Sequence, residues 1–158
     1  MHVEETSHTN PVILMSRTFD APRELVWSVL TNPEHVAHWY GGHGFSNPVC
    51  EMDVRPGGRW HHVMRTPDGA EHEMNFVFVD VVEPEKLSWR NAETNVLGHR
   101  SILTTVTLEA EGKKTKWRMV ATFDSVEHRD AVVKIGFSRI LSEGTEKLAE
   151  ILKRQTKH

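Results

Sequence analysis

The stretch from residue 47 to residue 124 constrains the fold most, because short β-rich segments alternate there with compact turn sequences. Each turn sequence contains glycine or proline, and the four lie at 55–58, 66–69, 83–86 and 111–114. Connections of this length join antiparallel neighbours, since a parallel crossover needs about a dozen residues or more. The stretch therefore predicts six consecutive strands of one antiparallel sheet.

One further strand and several helices flank this stretch. Residues 12–20 are β-rich, two short helices are expected to begin near 22 and 33, and a proline-free amphipathic pattern extends over 127–154. A sheet with one apolar face must be covered, and the terminal helix is the only long amphipathic element in the sequence. The sequence thus predicts an α+β fold, in which a curved antiparallel sheet of six to seven strands surrounds a long C-terminal helix.

The length of 158 residues fits a single domain that buries a hydrophobic core. Residues 1–11 are polar and lack apolar periodicity, so they are expected to form a flexible N-terminal tail. The folded domain is then expected to comprise residues 12–158.

Charge and cysteine content narrow the function classes. A net charge of −3 with scattered lysines and arginines gives no basis for nucleic-acid binding, and no apolar run is long enough for membrane insertion. Cys50 is the single cysteine, which excludes an intrachain disulfide and favours a reducing, cytoplasmic location. No motif indicates a cofactor, and none is expected.

The glycine-rich stretch DVRPGGRW at 53–60 would either cradle a phosphate or form a sharp turn. A phosphate loop requires a helix start after the glycines, whereas the residues that follow alternate as a strand does. Pro56 and Gly57 match the two central positions of a type II turn. We therefore expect a turn here and no nucleotide site.

Alternation of apolar and polar residues assigns the faces of the strands. Trp60, His62 and Met64 share one face of their strand, and Trp117 and Met119 share one face of the last strand. His62 is therefore expected to point inward, either as a hydrogen-bonded core residue or as a residue that orients a ligand or exchanges a proton. Further polar candidates for the interior are Asn75 or Glu73, and Thr104.

Histidines and helix glycines each allow two interpretations. His35, His38 and His43 are close enough in sequence to share a metal, but no cysteine or HExxH pattern accompanies them, so no metal site is expected. Gly136 and Gly144 interrupt the apolar stripe of the terminal helix, where each interior glycine costs about 1 kcal/mol relative to alanine. Either the helix backbone approaches its neighbours closely there, or the missing side chains leave room for a ligand.

An ordered series of motifs spans residues 12–153. It comprises Arg17 to Pro22, Val26-Trp27, Asn32 to Glu34, Trp39-Tyr40, 53–60, 67–69, 83–87, and Gly136, Gly144 and Leu148. This series resembles the activator of heat-shock protein 90 ATPase homologue-like family, of the START-like (SRPBCC) superfamily. The resemblance implies a helix-grip fold with a deep cavity between the sheet and the long helix. Tyr40 and Ile140 stand where the family often has tryptophan, which implies a cavity of altered shape.

The inward faces and the resemblance together indicate residues that would line such a cavity. These candidate ligand-binding residues are Trp39, Tyr40, Trp60, His62, Met64, Phe76, Phe78, Trp89, Trp117, Met119, Phe137, Ile140 and Gly144.

Three functions remain as alternatives. The leading hypothesis is non-catalytic binding of a small hydrophobic, lipid-like molecule in the cavity. The second is a cyclase- or hydrolase-like enzyme with His62 as its general base, the single candidate for a catalytic residue. The third is a chaperone ATPase cofactor that acts through its surface, and a homodimer is compatible with the sequence.

Overall fold

The computed structural model describes residues 2–4, 10–92 and 102–155 of the chain. Its strands form one antiparallel sheet in the order β1-β2-β8-β7-β6-β5-β4-β3. Seven of them have 6 to 12 residues, as the predicted fold requires, and β1 has 3. The strands are β1 His2–Glu4, β2 Val12–Phe19, β3 Ser46–Met52, β4 Arg59–Arg65, β5 Glu71–Val82, β6 Lys86–Asn91, β7 Leu103–Glu111 and β8 Lys114–Thr122.

The short strand β1 pairs with β2 at the edge of the sheet. It lies in the segment 1–11 for which the sequence predicts a flexible tail, so at His2–Glu4 that segment is part of the sheet. The remaining boundary between tail and domain stays a prediction.

Four helices complete the fold: α1 Arg23–Thr31, α2 Pro33–Trp39, α3 Val126–Lys134 and α4 Phe137–Gln155. Asn32 separates the first two, because its side chain accepts a hydrogen bond from the backbone N–H of Glu34 at 3.0 Å and so caps α2. Pro33 fits the first turn of α2, where its missing N–H costs nothing. Within the described ranges, no helix is long and apolar enough to cross a bilayer.

The prediction of a single helix over 127–154 is wrong, since this segment divides into α3 and α4 at residues 135 and 136. Gly136 has a φ of +96°, which an α-helix does not accommodate and which glycine adopts without steric cost. Its N–H donates to the carbonyl of Val133 at 3.0 Å, and α4 begins directly afterwards. Gly136 is therefore a helix end, and the long C-terminal helix of the fold is α4 alone.

The turn at 53–60 has the predicted geometry. The N–H of Gly58 donates to the carbonyl of Arg55 at 2.8 Å, and Gly57 has a φ of +81°, as the second central position of a type II turn requires. Gly58 is constrained differently, because a Cβ atom there would lie 1.9 Å from the carbonyl oxygen of Asp53. The turn also bonds to β5, where the N–H of Phe78 donates to the carbonyl of Gly58 at 2.9 Å.

The inner face of the sheet follows the predicted alternation. Trp117, Met119 and Phe123 are buried, whereas Arg118 is exposed. The buried core continues into α1 and into the C-terminal half of α4. The register of the strands decides which side chains face inward, because a shift by one residue would turn each of them outward.

Gly144 lies where α4 crosses the end of α2. A Cβ atom on Gly144 would lie 3.1 Å from the carbonyl oxygen of Trp39 and 3.3 Å from that of Gly41. The missing side chain therefore serves close backbone contact. The alternative interpretation, that Gly144 leaves room for a ligand, is wrong because this space is filled by the chain at 39–41.

We predict that Gly58→Ala lowers the free energy of unfolding by about 3 kcal/mol or more, because the new methyl group and the Asp53 carbonyl cannot both keep their positions. The control Gly57→Ala meets no atom within 4 Å and is strained only by its positive φ, which costs about 1–2 kcal/mol. Urea unfolding measures both variants. Equal losses for the two variants would contradict the steric argument.

We predict that Gly144→Leu costs about 1–3 kcal/mol of stability through overpacking, although leucine is the better helix former. Glu150→Leu, at an exposed position of the same helix, is the control and should change stability by less than about 0.5 kcal/mol. Thermal melting compares the two. A Gly144→Leu protein that melts at or above the wild-type temperature would show that space is available there.

Candidate functional site

A cluster of aromatic rings fills one end of the inner face, with Trp60 at its centre. The ring centroid of Trp60 lies 4.8 Å from that of Phe76 and 5.4 Å from that of Trp89. Tyr40, at the end of α2, approaches the same indole to 5.6 Å, edge to face. Such contacts add about 0.5–1.5 kcal/mol per pair beyond area burial. Phe78 and His62 complete the cluster.

Three hydrogen-bonded side chains connect this cluster to α2. The Asn47 amide nitrogen donates to the carbonyls of Ala37 at 2.8 Å and Tyr40 at 3.0 Å, which leaves its oxygen as an acceptor. His62 Nε2 donates to that oxygen at 2.7 Å, and the Trp60 indole N–H donates to His62 Nδ1 at 3.2 Å. An indole nitrogen can only donate, so His62 is the neutral tautomer with its proton on Nε2.

His62 is fully buried, and burial lowers its pKa to about 4, with a smaller contribution from the neighbouring His61. A second proton would have to go to Nδ1, where it would displace the indole N–H of Trp60. Both ring nitrogens are thus engaged in structural hydrogen bonds. This arrangement favours the first interpretation of His62, as a satisfied core residue.

Two other titratable groups lie beside the cluster. Burial raises the pKa of the Tyr40 phenol above its ordinary value, and its hydroxyl donates to the sulfur of Met74 at 3.6 Å. Burial also raises the pKa of the Cys50 thiol to about 11, so the thiol stays protonated at neutral pH. A protonated thiol is a poor nucleophile.

The polar residues proposed for a reaction in the interior do not converge. Asn75 pairs with His61 and Glu73 with Val63, which places both on the outer face, away from His62. The expectation that either would face the interior is therefore wrong. Thr104 does face inward, but it lies two strands away from β5, opposite Trp89.

The apolar face of α4 is buried unevenly along its length. Leu148, Ile151 and Leu152 in the C-terminal half are 1%, 7% and 3% exposed. Phe137 and Leu141 in the N-terminal half are only half-buried, although both contact the core. The N-terminal half of α4 thus presents apolar surface that the described residues do not fully cover.

Half-buried apolar residues on the sheet lie at the same end. Trp89 pairs with Thr104, two positions from Ile102, and Ile102 lies next to Phe123 because Leu103 pairs with Thr122. The Phe137 ring packs 6.0 Å from that of Phe123. We call the half-buried apolar residues at this end the apolar rim: Met74, Trp89, Ile102, Phe137 and Leu141.

The structure divides the predicted ligand-binding residues into groups. Tyr40, Trp60, His62, Phe76, Phe78 and Trp89 form the aromatic cluster, with Trp39 against Tyr40. Trp117 and Met119 are buried further along the sheet, Met64 lies beside Gly41, and Phe137 is on the rim. Ile140 is half-buried on α4, and Gly144 contacts backbone.

The histidines weighed as metal ligands lie on α2 and in the loop that follows it. His35 and His38 border an outer groove of about 420 Å³ between α2 and α4, and His43 Nε2 lies 3.1 Å from a Glu146 carboxylate oxygen. Over the part of the chain that the structure describes, no three His, Cys, Asp or Glu side chains are grouped so as to hold a metal ion.

The predicted set of ligand-binding residues omits Asn47 and three rim residues, Met74, Ile102 and Leu141. Alternation from Phe76 and Phe78 would have placed Met74 inward, and helical spacing from Phe137 would have found Leu141. Asn47 carried no such signal, since an irregularity between Ser46 and Val49 interrupts the alternation of β3.

Comparison with solved structures supports the fold. A protein from Nitrosomonas europaea superposes with a TM-score of 0.86 at 23% identity, covering 97% of this chain and 100% of that one. A protein from Mycobacterium smegmatis gives 0.87 at 21% identity, covering 98% of each chain. CalU16 from Micromonospora echinospora gives 0.64 at 18%, covering 90% of this chain and 79% of its own.

The sequence itself was compared with curated proteins and with protein families. No curated protein matches it. Residues 20–153 match the family described as activator of Hsp90 ATPase homolog 1-like protein. This family and this fold support, in general terms, a ligand-binding or cofactor-type domain. With the helix-grip architecture described above, this match shows that the chain belongs to the activator of Hsp90 ATPase homolog 1-like family.

Proposed function

We propose that the protein binds a small hydrophobic molecule between the sheet and the N-terminal half of α4, without catalysing a reaction. The observation that carries this proposal is the uneven burial of α4. Its C-terminal apolar residues are enclosed by the core, whereas Phe137 and Leu141 remain half-buried, as do Trp89 and Ile102 on the sheet. Apolar surface that the core leaves uncovered marks binding sites for apolar ligands or partners where it forms a patch.

The alternative of a cyclase- or hydrolase-like enzyme has less support. It needs His62 as a general base, yet the lone pair of Nδ1 already accepts the indole proton of Trp60. It also needs convergent polar groups, and Asn75 and Glu73 face outward. The proposal therefore assigns His62 a structural role.

A chaperone cofactor role is suggested by the name of the family, which refers to activation of the Hsp90 ATPase. That role would use an exposed apolar patch on the outer surface. The large apolar side chains that the described residues expose most are Val82 at 47% and Ile135 at 78%, one on β5 and one between α3 and α4. Single exposed residues of this kind are ordinary on protein surfaces, so the ligand-binding proposal is preferred.

We predict that the uncharged dye N-phenyl-1-naphthylamine binds the wild-type protein saturably with a rise in fluorescence. Leu141→Gln should weaken this binding about tenfold, because a buried leucine contact is worth about 1.5–3 kcal/mol. Ile135→Gln removes the same number of apolar atoms at a site 78% exposed and is the matched control. Absence of saturable binding, or equal affinities for all three proteins, would refute the proposed site.

We predict that the stability advantage of wild type over His62→Gln decreases as the pH falls from 7 to 4.5. The pKa of His62 is near 4 in the folded protein and about 6.5 when unfolded, so the unfolded chain takes up the proton first and acid removes stability. The upper limit of this loss is about 3 kcal/mol, at about 1.4 kcal/mol per pKa unit. Urea unfolding at several pH values measures it.

A pH-independent difference between wild type and His62→Gln would contradict the buried neutral histidine. At pH 7 the neighbouring substitution His61→Gln lies on the outer, partly exposed face and should cost less than about 0.5 kcal/mol.

A further inference from the structure

Arg17 is the first residue of the motif Arg17 to Pro22, and it occupies an inner-face position of β2. Ile13, Met15 and Phe19 alternate with it along the strand and are at most 2% exposed. Arg17 also pairs directly with Trp117 of β8, so the two side chains lie side by side on the inner face. A partly buried cationic side chain therefore lies on the inner face between β2 and α4.

The contacts of Arg17 are all with neutral groups. Its Nη1 donates to the hydroxyl oxygen of Thr145 on α4 at 3.3 Å, and its guanidinium carbon lies 5.4 Å from the ring centroid of Phe19. Thr145 donates its own proton to the carbonyl of Ser142 at 2.8 Å. Among the described residues no carboxylate forms an ion pair with Arg17, and only one of the five N–H donors of its partly buried guanidinium has an acceptor there.

A donor that lacks an acceptor among the described residues is the indole N–H of Trp117, next to Arg17. Trp117 is 4% exposed, and its indole nitrogen is buried with no hydrogen-bond partner within the described part of the chain. Buried donors in native proteins are nearly always satisfied. An exception calls for an acceptor that the protein does not supply, such as water or a ligand. Trp117 thus places a buried, unsatisfied N–H beside the partly buried guanidinium of Arg17 on the inner face of the sheet.

We propose that Arg17 and Trp117 anchor the carboxylate of an amphipathic ligand whose apolar tail extends towards the apolar rim. This inference rests on the proposed function and specifies the class of ligand. A single guanidinium can neutralise one negative charge, and its planar fork matches a carboxylate in two parallel hydrogen bonds. A phosphate monoester would bring up to two charges and leave one without a partner.

The inner face between the two sites is the path that we assign to the alkyl chain. Trp117 and Phe123 are six residues apart along the strand, a distance of about 20 Å at 3.3 Å per residue. The intervening rows contain the small residue Ala121 and the paired Met15 and Met119. Methionine side chains rearrange readily around an inserted group, so an alkyl chain can replace their mutual packing.

The test uses the wild-type protein and N-phenyl-1-naphthylamine as the reporter, with dodecanoate and dodecanol as competitors at pH 8. The two competitors have the same alkyl chain and differ in the charge of the head group. Wild type should release the dye at a dodecanoate concentration at least about tenfold below that of dodecanol, which corresponds to one charge-assisted hydrogen-bonded contact. Equal potency of the two competitors would overturn the inference even if no variant folds.

Three variants locate the effect. Arg17→Gln should lose the preference for dodecanoate while its affinity for dodecanol stays within about twofold, and Arg17→Lys, which keeps the charge without the planar fork, should retain part of it. Arg118→Gln removes an exposed arginine from the outer face of β8. It should change neither the preference for dodecanoate nor the affinity for dodecanol. An equal loss for both competitors in Arg17→Gln would identify Arg17 as a structural contact between β2 and α4.

Failure of the head-group inference is distinct from failure of the proposed function. If wild type binds the dye but does not prefer dodecanoate, ligand binding stands and the anchor is refuted. If wild type does not bind the dye, the proposed function fails and the anchor fails with it.

Discussion

The hydrogen bonds that connect Asn47, His62 and Trp60 determine the arrangement of the whole inner face at one end of the sheet. The Asn47 oxygen accepts from His62 Nε2, which leaves His62 Nδ1 to accept the indole N–H of Trp60. In a low-dielectric interior such a network is strong when complete and costly when one member is missing. It fixes the plane of the Trp60 ring, around which five other rings pack. The end of α2 is held in place by the same Asn47 side chain.

The proposed function assigns stability and binding to different parts of α4. Its C-terminal half is enclosed, and Gly144 allows backbone contact with the loop after α2. Its N-terminal half follows Gly136 and contacts the sheet through Phe137 and Leu141, which remain half-buried. A site on the loosely covered half can admit a ligand without opening the core, because the packed half retains the helix.

Alternation and turn chemistry were sufficient to predict most of the fold. The inward position of His62, the type II turn at Gly57 and the register of Trp117 all follow from local pattern, and the structure confirms them. The break at Gly136 was missed because a helix pattern on both sides of a glycine does not reveal the sign of its φ. The position of Asn47 was missed because its partners are separated from it along the chain, and a polar residue near an irregular strand start has no periodic signal.

The separate helix end at Gly136 has a consequence for how such a protein can diversify. α3 is held to β2 by Arg129, whose guanidinium donates to the carbonyls of Asn10 and Val12 at 3.4 and 3.3 Å, while the far half of α4 is held by the core. Only the two helical turns after Gly136 lie between these fixed points. Substitutions there can change the shape and chemistry of the apolar rim while leaving both attachments intact. One scaffold could in this way acquire new surface chemistry at little cost to its folding.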